Sequence, residues 1–118
     1  MVSVSEVFQL ARSGERETAI SILKQEFQRL QSSEHRVHLC EWIASCFENL
    51  DDYGQAAEWY ETAGLLCLSE TGSDLINSMM ALERYEKALS CRQIDGDEES
   101  VQNCVQIIEG LKHAYAAS

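Results

Sequence analysis

The stretch Ile43-Ala44-Ser45-Cys46-Phe47-Glu48-Asn49-Leu50-Asp51-Asp52-Tyr53-Gly54-Gln55-Ala56-Ala57-Glu58-Trp59-Tyr60-Glu61-Thr62-Ala63 decides the fold. Small residues (Ala44, Ala56, Ala63) alternate with aromatics (Phe47, Tyr53, Tyr60) at helical spacing. The polar turn Asn49-Leu50-Asp51-Asp52 separates the two halves. Alanine at a helix contact lets two backbones approach closely, and the aromatics then fill the space beside them. The stretch therefore predicts two antiparallel helices pressed together at Ala44 and Ala56, with Ala63 making room for the following helix.

Working outward, the same periodicity predicts six helices. The first covers about Val4 to Arg12, with Val4, Val7, Phe8, Leu10 and Ala11 as its apolar stripe. The second runs from about Glu15 to Gln31 on Ala19, Ile20, Leu23, Phe27 and Leu30. The third (about Glu34 to Asn49) and fourth (Asp52 to about Leu68) flank the deciding turn. The fifth covers Asp74 to about Arg92, with Ser73 or Thr71 as its N-cap. It carries two stripes, Leu75, Met79, Leu82, Tyr85 and Leu89 beside Ala81, Tyr85 and Ala88, so it is expected between two neighbours. The sixth spans about Asp97 to Ala116, acidic at its start and basic near its end, as the helix dipole favours. No segment alternates as a strand does, so the fold class is all-α. The absence of proline permits uninterrupted helices. Short connections favour antiparallel neighbours within one domain, residues 1–118.

A short internal repeat supports stacking. Gly14-Glu15-Arg16-Glu17-Thr18-Ala19-Ile20 aligns with Asp51-Asp52-Tyr53-Gly54-Gln55-Ala56-Ala57, and Leu23 then aligns with Tyr60. On these residues the chain resembles the tetratricopeptide repeat (TPR), a helix hairpin with a period of about 34 residues. The resemblance is good over residues 37–68 and loose elsewhere. In the first hairpin (residues 4–31) Glu26 falls where the family prefers a small residue, and Val7 replaces the usual glycine or alanine. The third hairpin (residues 74–116) is out of phase, with a long first helix and a capping last helix.

The resemblance implies a curved stack of hairpins, a TPR-like solenoid, and a non-catalytic adaptor or scaffold role. A partner's peptide or helix would lie in a concave groove lined by the first helix of each hairpin. The groove positions are Val4, Phe8 and Arg12, then His38, Glu41, Ser45, Glu48 and Asn49. One subfamily clamps an anionic C-terminus with basic residues there. Val4, Phe8, Glu41 and Ser45 occupy those places here, so an apolar segment with basic residues fits better. Trp42, Trp59, Leu65 and Leu66 fall off the inward faces and form a second candidate interface. Two alternatives stay open: a small acidic TPR-like chaperone for one client, or a structural protein that self-associates into a homo-oligomer.

Composition sets the remaining bounds. The 118 residues carry a net charge of −11, which disfavours nucleic acid and anionic membrane surfaces as partners. No apolar run approaches the length of a membrane span. The N-terminus lacks the basic start and apolar block of a signal peptide. Five cysteines without a CxxC motif read as reduced, buried thiols, and so as a cytoplasmic protein. His35-x-x-His38-x-Cys40 has metal-like residues but lacks a fourth ligand. Asp95-Gly96-Asp97-Glu98-Glu99 looks like a calcium loop but lacks its mid-loop glycine and final glutamate, and reads better as a helix start. No phosphate-binding or nucleophile-elbow motif occurs. No enzymatic activity, cofactor or metal is expected.

Overall fold

A computed structural model describes residues 9–10, 12–29, 33–69 and 73–116. Among the described residues the fold is all-α, with five helices: α1 (Arg16–Arg29), α2 (Ser33–Asn49), α3 (Tyr53–Leu68), α4 (Asp74–Asp95) and α5 (Glu98–Ala116). The expected first helix lies mostly outside these residues. Gln9, Leu10 and Arg12 are helical, and the Ser13 N–H donates to the Gln9 carbonyl at 3.0 Å. No helix among the described residues is long and apolar enough to cross a membrane.

Local chemistry sets the boundaries. Gly14 has φ +94°, a left-handed conformation that glycine adopts without steric cost. Asp51 takes φ +60° in the α2–α3 turn, and Asp52 caps α3 by accepting from the Gln55 N–H at 3.2 Å. Ser73 caps α4, accepting from the Ile76 N–H at 3.3 Å. Gly96, at φ +83°, ends α4. Asp97 then starts α5, with its carboxylate accepting from the Ser100 N–H and hydroxyl. Those hydrogen bonds hold the Asp97 carboxyl below its ordinary pKa.

Each helix packs against the next in sequence. The packing is as tight as the deciding stretch predicts: Ala44 and Ala56 at the α2–α3 seam have no solvent exposure, nor has Ala63, which shares a cluster with Ala81 and Tyr85 of α4. Ala44, Ala56, Ala57 and Tyr60 share a core cluster with Ala88, Cys91 and Cys104, so this seam continues into α4 and α5. Ala19, Ile20 and Leu23 of α1 pack on Leu39, Ile43 and Cys46 of α2.

Two close approaches fix the α3–α4 register. A Cβ on Gly54 would stand 3.3 Å from Asp95 Oδ2, and a Cβ on Gly64 would stand 2.6 Å from Tyr85 Cε2. Moving forward along α3 therefore moves back along α4 by the same number of residues, which places Leu68 beside Ala81. Residues Asp74–Met80 run past the end of α3. This corrects the first stripe expected on α4. Leu75 and Met79 are exposed, and Leu82 and Leu89 are half-buried. The buried face is instead Asn77, Ala81, Tyr85, Ala88 and Cys91. The close contact at Gly64 selects the small residues, and the large ones in the first turns have no α3 opposite them.

Candidate functional site

Side-chain contacts join the hairpin α2–α3 to the hairpin α4–α5, and three of the pairs share one sequence separation. Arg84 Nη2 and Nε donate to Glu41 Oε1 at 2.8 and 3.1 Å. Cys91 Sγ donates to Glu48 Oε1 at 3.5 Å, and Cys104 Sγ to Glu61 Oε2 at 3.1 Å. All three pairs are 43 residues apart. Thus α4 runs beside α2 in the same direction, with Cys104 of α5 placed likewise against Glu61 of α3.

The α2–α4 face carries the site residues expected on α2. Residues four and seven apart share a helix face, which gathers His38, Glu41, Ser45 and Glu48. Glu41 is partly buried at 20% side-chain exposure, with Arg84 at 13% and Lys87 Nζ 3.6 Å away. Its charge is therefore compensated within the protein, which the sequence reading did not foresee. The Glu48 carboxylate takes the Cys91 thiol. Lys87 also lies over the Tyr60 ring, 5.7 Å from its centroid. Asn49 turns back to its own helix, with Nδ2 donating to the Ser45 carbonyl at 3.0 Å. His38 is exposed and stacks on Trp42 at 6.2 Å. Arg12 is exposed; Val4 and Phe8 lie outside the described residues. The exposed Ile76, Met80 and Lys87 lie at i, i+4 and i+11 on α4, giving this face an apolar end.

The second candidate interface is mostly internal packing. Trp59 is half-buried, edge-on to Phe27 at 5.4 Å, and touches all three core clusters. Trp42 packs against the α1–α2 cluster and Leu66 against the cluster shared by α2, α3, α4 and α5. Only Leu65, 61% exposed, presents a large surface to solvent. The phase of each helix was readable, but α1 reaches round to Trp59, and that long-range contact was not.

All five cysteines are buried and free. Burial pushes the Cys40, Cys91 and Cys104 thiols up to about 12, and Glu48 and Glu61 add to the rise at Cys91 and Cys104. Burial also raises Cys46. These surroundings oppose thiolate chemistry near neutral pH. His35 and His38 are exposed whereas Cys40 is wholly buried, so this trio does not converge. Among the described residues no three His, Cys, Asp or Glu side chains could hold a metal ion.

Sequence reading also missed Glu61 and Arg92. Arg92 Nη2 donates to Glu61 Oε1 at 2.8 Å, while Arg92 Nε is buried without a hydrogen-bond partner. No sequence signal marked this pair, whose members stand 31 residues apart and outside the 43-residue displacement of Glu41 with Arg84 and Glu48 with Cys91. Compared with family models, curated proteins and solved structures, the chain matches none.

Proposed function

We propose that this chain is a TPR-like, non-catalytic protein-binding module that holds a partner's peptide or helix on its α2–α4 face. One observation carries this reading. Three lateral pairs, Glu41–Arg84, Glu48–Cys91 and Glu61–Cys104, share a 43-residue displacement and fall on both helices of the hairpin. Hairpins related by a constant displacement are the building rule of a helical solenoid, whose first helices align into a shared surface. The outer side of the last helix fits its role as a cap: Gln102, Asn103, Gln106, Glu109, Lys112 and His113 are all exposed.

The partner's chemistry follows from what this face leaves unengaged. Glu41 and Glu48 already have internal donors, so they attract a basic peptide less strongly than their sequence positions imply. Ile76 and Met80, at 56% and 38% exposure, supply apolar area instead. An apolar or amphipathic segment is the occupant this face suits, and the net charge of −11 favours basic residues at its margins. Five buried free thiols fit a reducing compartment, which supports the cytoplasmic assignment.

The test compares three immobilised baits: the native chain, a chain carrying His38→Glu with Met80→Asp, and Gln106→Arg on the outer side of α5. Native and Gln106→Arg baits should retain the same partner, and the doubly substituted bait should retain it at least about tenfold less. Quantitative mass spectrometry reads the difference, with melting curves confirming that all three fold. Equal retention by all three would contradict the assignment of the face.

A further inference from the structure

Away from the α2–α4 face, an open depression of about 530 Å³ lies between α1 and the α2–α3 turn. Ile20, Phe47 and Leu50 form its apolar wall, and Glu17, Ser21, Lys24 and Asp52 its polar lining. Glu17, Ile20, Ser21 and Lys24 follow the i, i+3, i+4, i+7 pattern, so α1 offers one face to it. The Lys24 ammonium lies 5.1 Å from the Phe47 ring centroid and 5.9 Å from that of Trp59. Glu17 and Asp52 are exposed at its rim.

The depression opens on a strongly acidic edge. Glu15, Glu17, Asp51 and Asp52 are exposed there. The approach of Gly54 to Asp95 brings the α4–α5 turn alongside, adding exposed Asp95, Asp97, Glu98 and Glu99. Arg12, Arg16 and Lys24 lie on the α1 side and Arg92 acts on Asp97, so the eight exposed carboxylates outnumber the cations and negative charge dominates.

We propose that this depression binds a basic side chain of a partner protein, arginine or lysine, next to an apolar residue. The aliphatic stem lies along Ile20, Phe47 and Leu50, as long cationic side chains cover apolar surface while their heads stay wet. The cationic head meets the Glu17 and Asp52 carboxylates. Asp52 Oδ1 already caps α3, and a carboxylate has acceptor capacity beyond that one bond. Lys24 opposes the head, but its charge is drawn back against two rings, and the surrounding carboxylates outnumber it. Charge complementarity thus selects a basic occupant over an acidic one. This site is separate from the α2–α4 face and does not depend on it.

The probe is acetyl-Leu-Arg-amide, titrated into the ¹⁵N-labelled full chain and followed by amide shifts. Acetyl-Leu-citrulline-amide, close in shape but neutral, and acetyl-Leu-Glu-amide serve as comparisons. The arginine peptide should give saturable shifts at Ser21, Lys24, Leu50 and Gln55. Citrulline should bind about fivefold more weakly, and added salt should weaken the arginine peptide. Glu17→Gln and Asp52→Asn should each weaken it about two- to fivefold. Asparagine keeps the α3 cap, so an unchanged melting curve for Asp52→Asn separates lost charge from lost structure. Absence of saturable shifts, equal binding of citrulline, tighter binding of the glutamate peptide, or shifts confined to His38, Ser45 and Lys87 would each overturn the proposal. Only the last of these would favour the α2–α4 face.

Discussion

Gly64→Ala is expected to destabilise the protein by about 1–2 kcal/mol, against the direction helix propensity predicts. In an ordinary helix interior, alanine is the better residue by about 1 kcal/mol. Here the added Cβ would stand 2.6, 2.9 and 3.1 Å from three atoms of the Tyr85 ring. Tyr85 is 2% exposed and shares its cluster with Ala63, Cys67 and Ala81, which are 0–1% exposed. The ring has no free volume to swing into, so α3 and α4 must part. Overpacking of this kind costs about 1–3 kcal/mol, and contacts this short with a buried ring place it at the upper end, so about 1–2 kcal/mol remains after the propensity gain is subtracted. Tyr85→Leu removes the clashing atoms but leaves a cavity costing about 2–4 kcal/mol alone. The double variant should be more stable than the sum of the two losses allows, with a coupling of about 1 kcal/mol or more. Urea unfolding of the four proteins measures this. A Gly64→Ala chain as stable as the native one would mean that α3 and α4 do not meet at this point.

Raising the pH above about 8.5 should unfold the chain by about pH 11. Burial is the largest cause of the high thiol values, about 12 at Cys40, Cys91 and Cys104. In the unfolded chain a cysteine ionises near 8.5. The folded state therefore holds these protons more tightly. Its advantage is complete below about pH 8.5 and is lost progressively as pH rises towards 12. Each thiol can remove up to about 1.4 kcal/mol per pH unit in that window, so three acting together remove up to about 10 kcal/mol by pH 11, comparable to the 5–15 kcal/mol stability of an ordinary domain. Burial raises Tyr60 and Tyr85 as well, in the same direction. The urea midpoint should be flat from pH 7 to 8 and fall steeply by pH 10. Native thiols at pH 7.5 should react with an aromatic disulfide reagent only as fast as the protein opens. A flat midpoint up to pH 10, or one thiol reacting within seconds, would show that these side chains are not held as described.

What the sequence revealed was local and periodic. The turn at Asn49–Asp52, the Ser73 cap, and the unexposed methyls of Ala44, Ala56 and Ala63 could all be read from spacing, whereas the Asp52 cap was not. Such features depend on residues within a turn or two of each other. The rest depends on what lies opposite. Leu75 and Met79 have the right period for a core stripe, but α3 stops short of them. Trp59 looks unaccommodated on its own helix, yet Phe27 of α1 meets it. The 43-residue displacement left little trace in residue identity. Lys87, Glu99 and Gln106 stand 43 residues after Ala44, Ala56 and Ala63. Only the contacting pairs, such as Glu41 with Arg84, carry the relation, and a pair of opposite charges far apart in sequence signals no particular register. The candidate face was legible on α2, where the repeat pattern is strongest. The α4 half, with Ile76, Met80, Arg84 and Lys87, was not.

The stacking of one hairpin on the next is the central claim, and nuclear Overhauser contacts between α2 and α4 test it most directly. With side-chain labelling, the Glu41 methylenes should contact Arg84, and the Glu48 methylenes should contact Cys91. Both contacts have partners 43 residues apart, alongside antiparallel contacts from Gly64 to Tyr85. Contacts between α2 and α4 at some other register, or none between them while Gly64 still meets Tyr85, would contradict the stack and remove the shared face it creates.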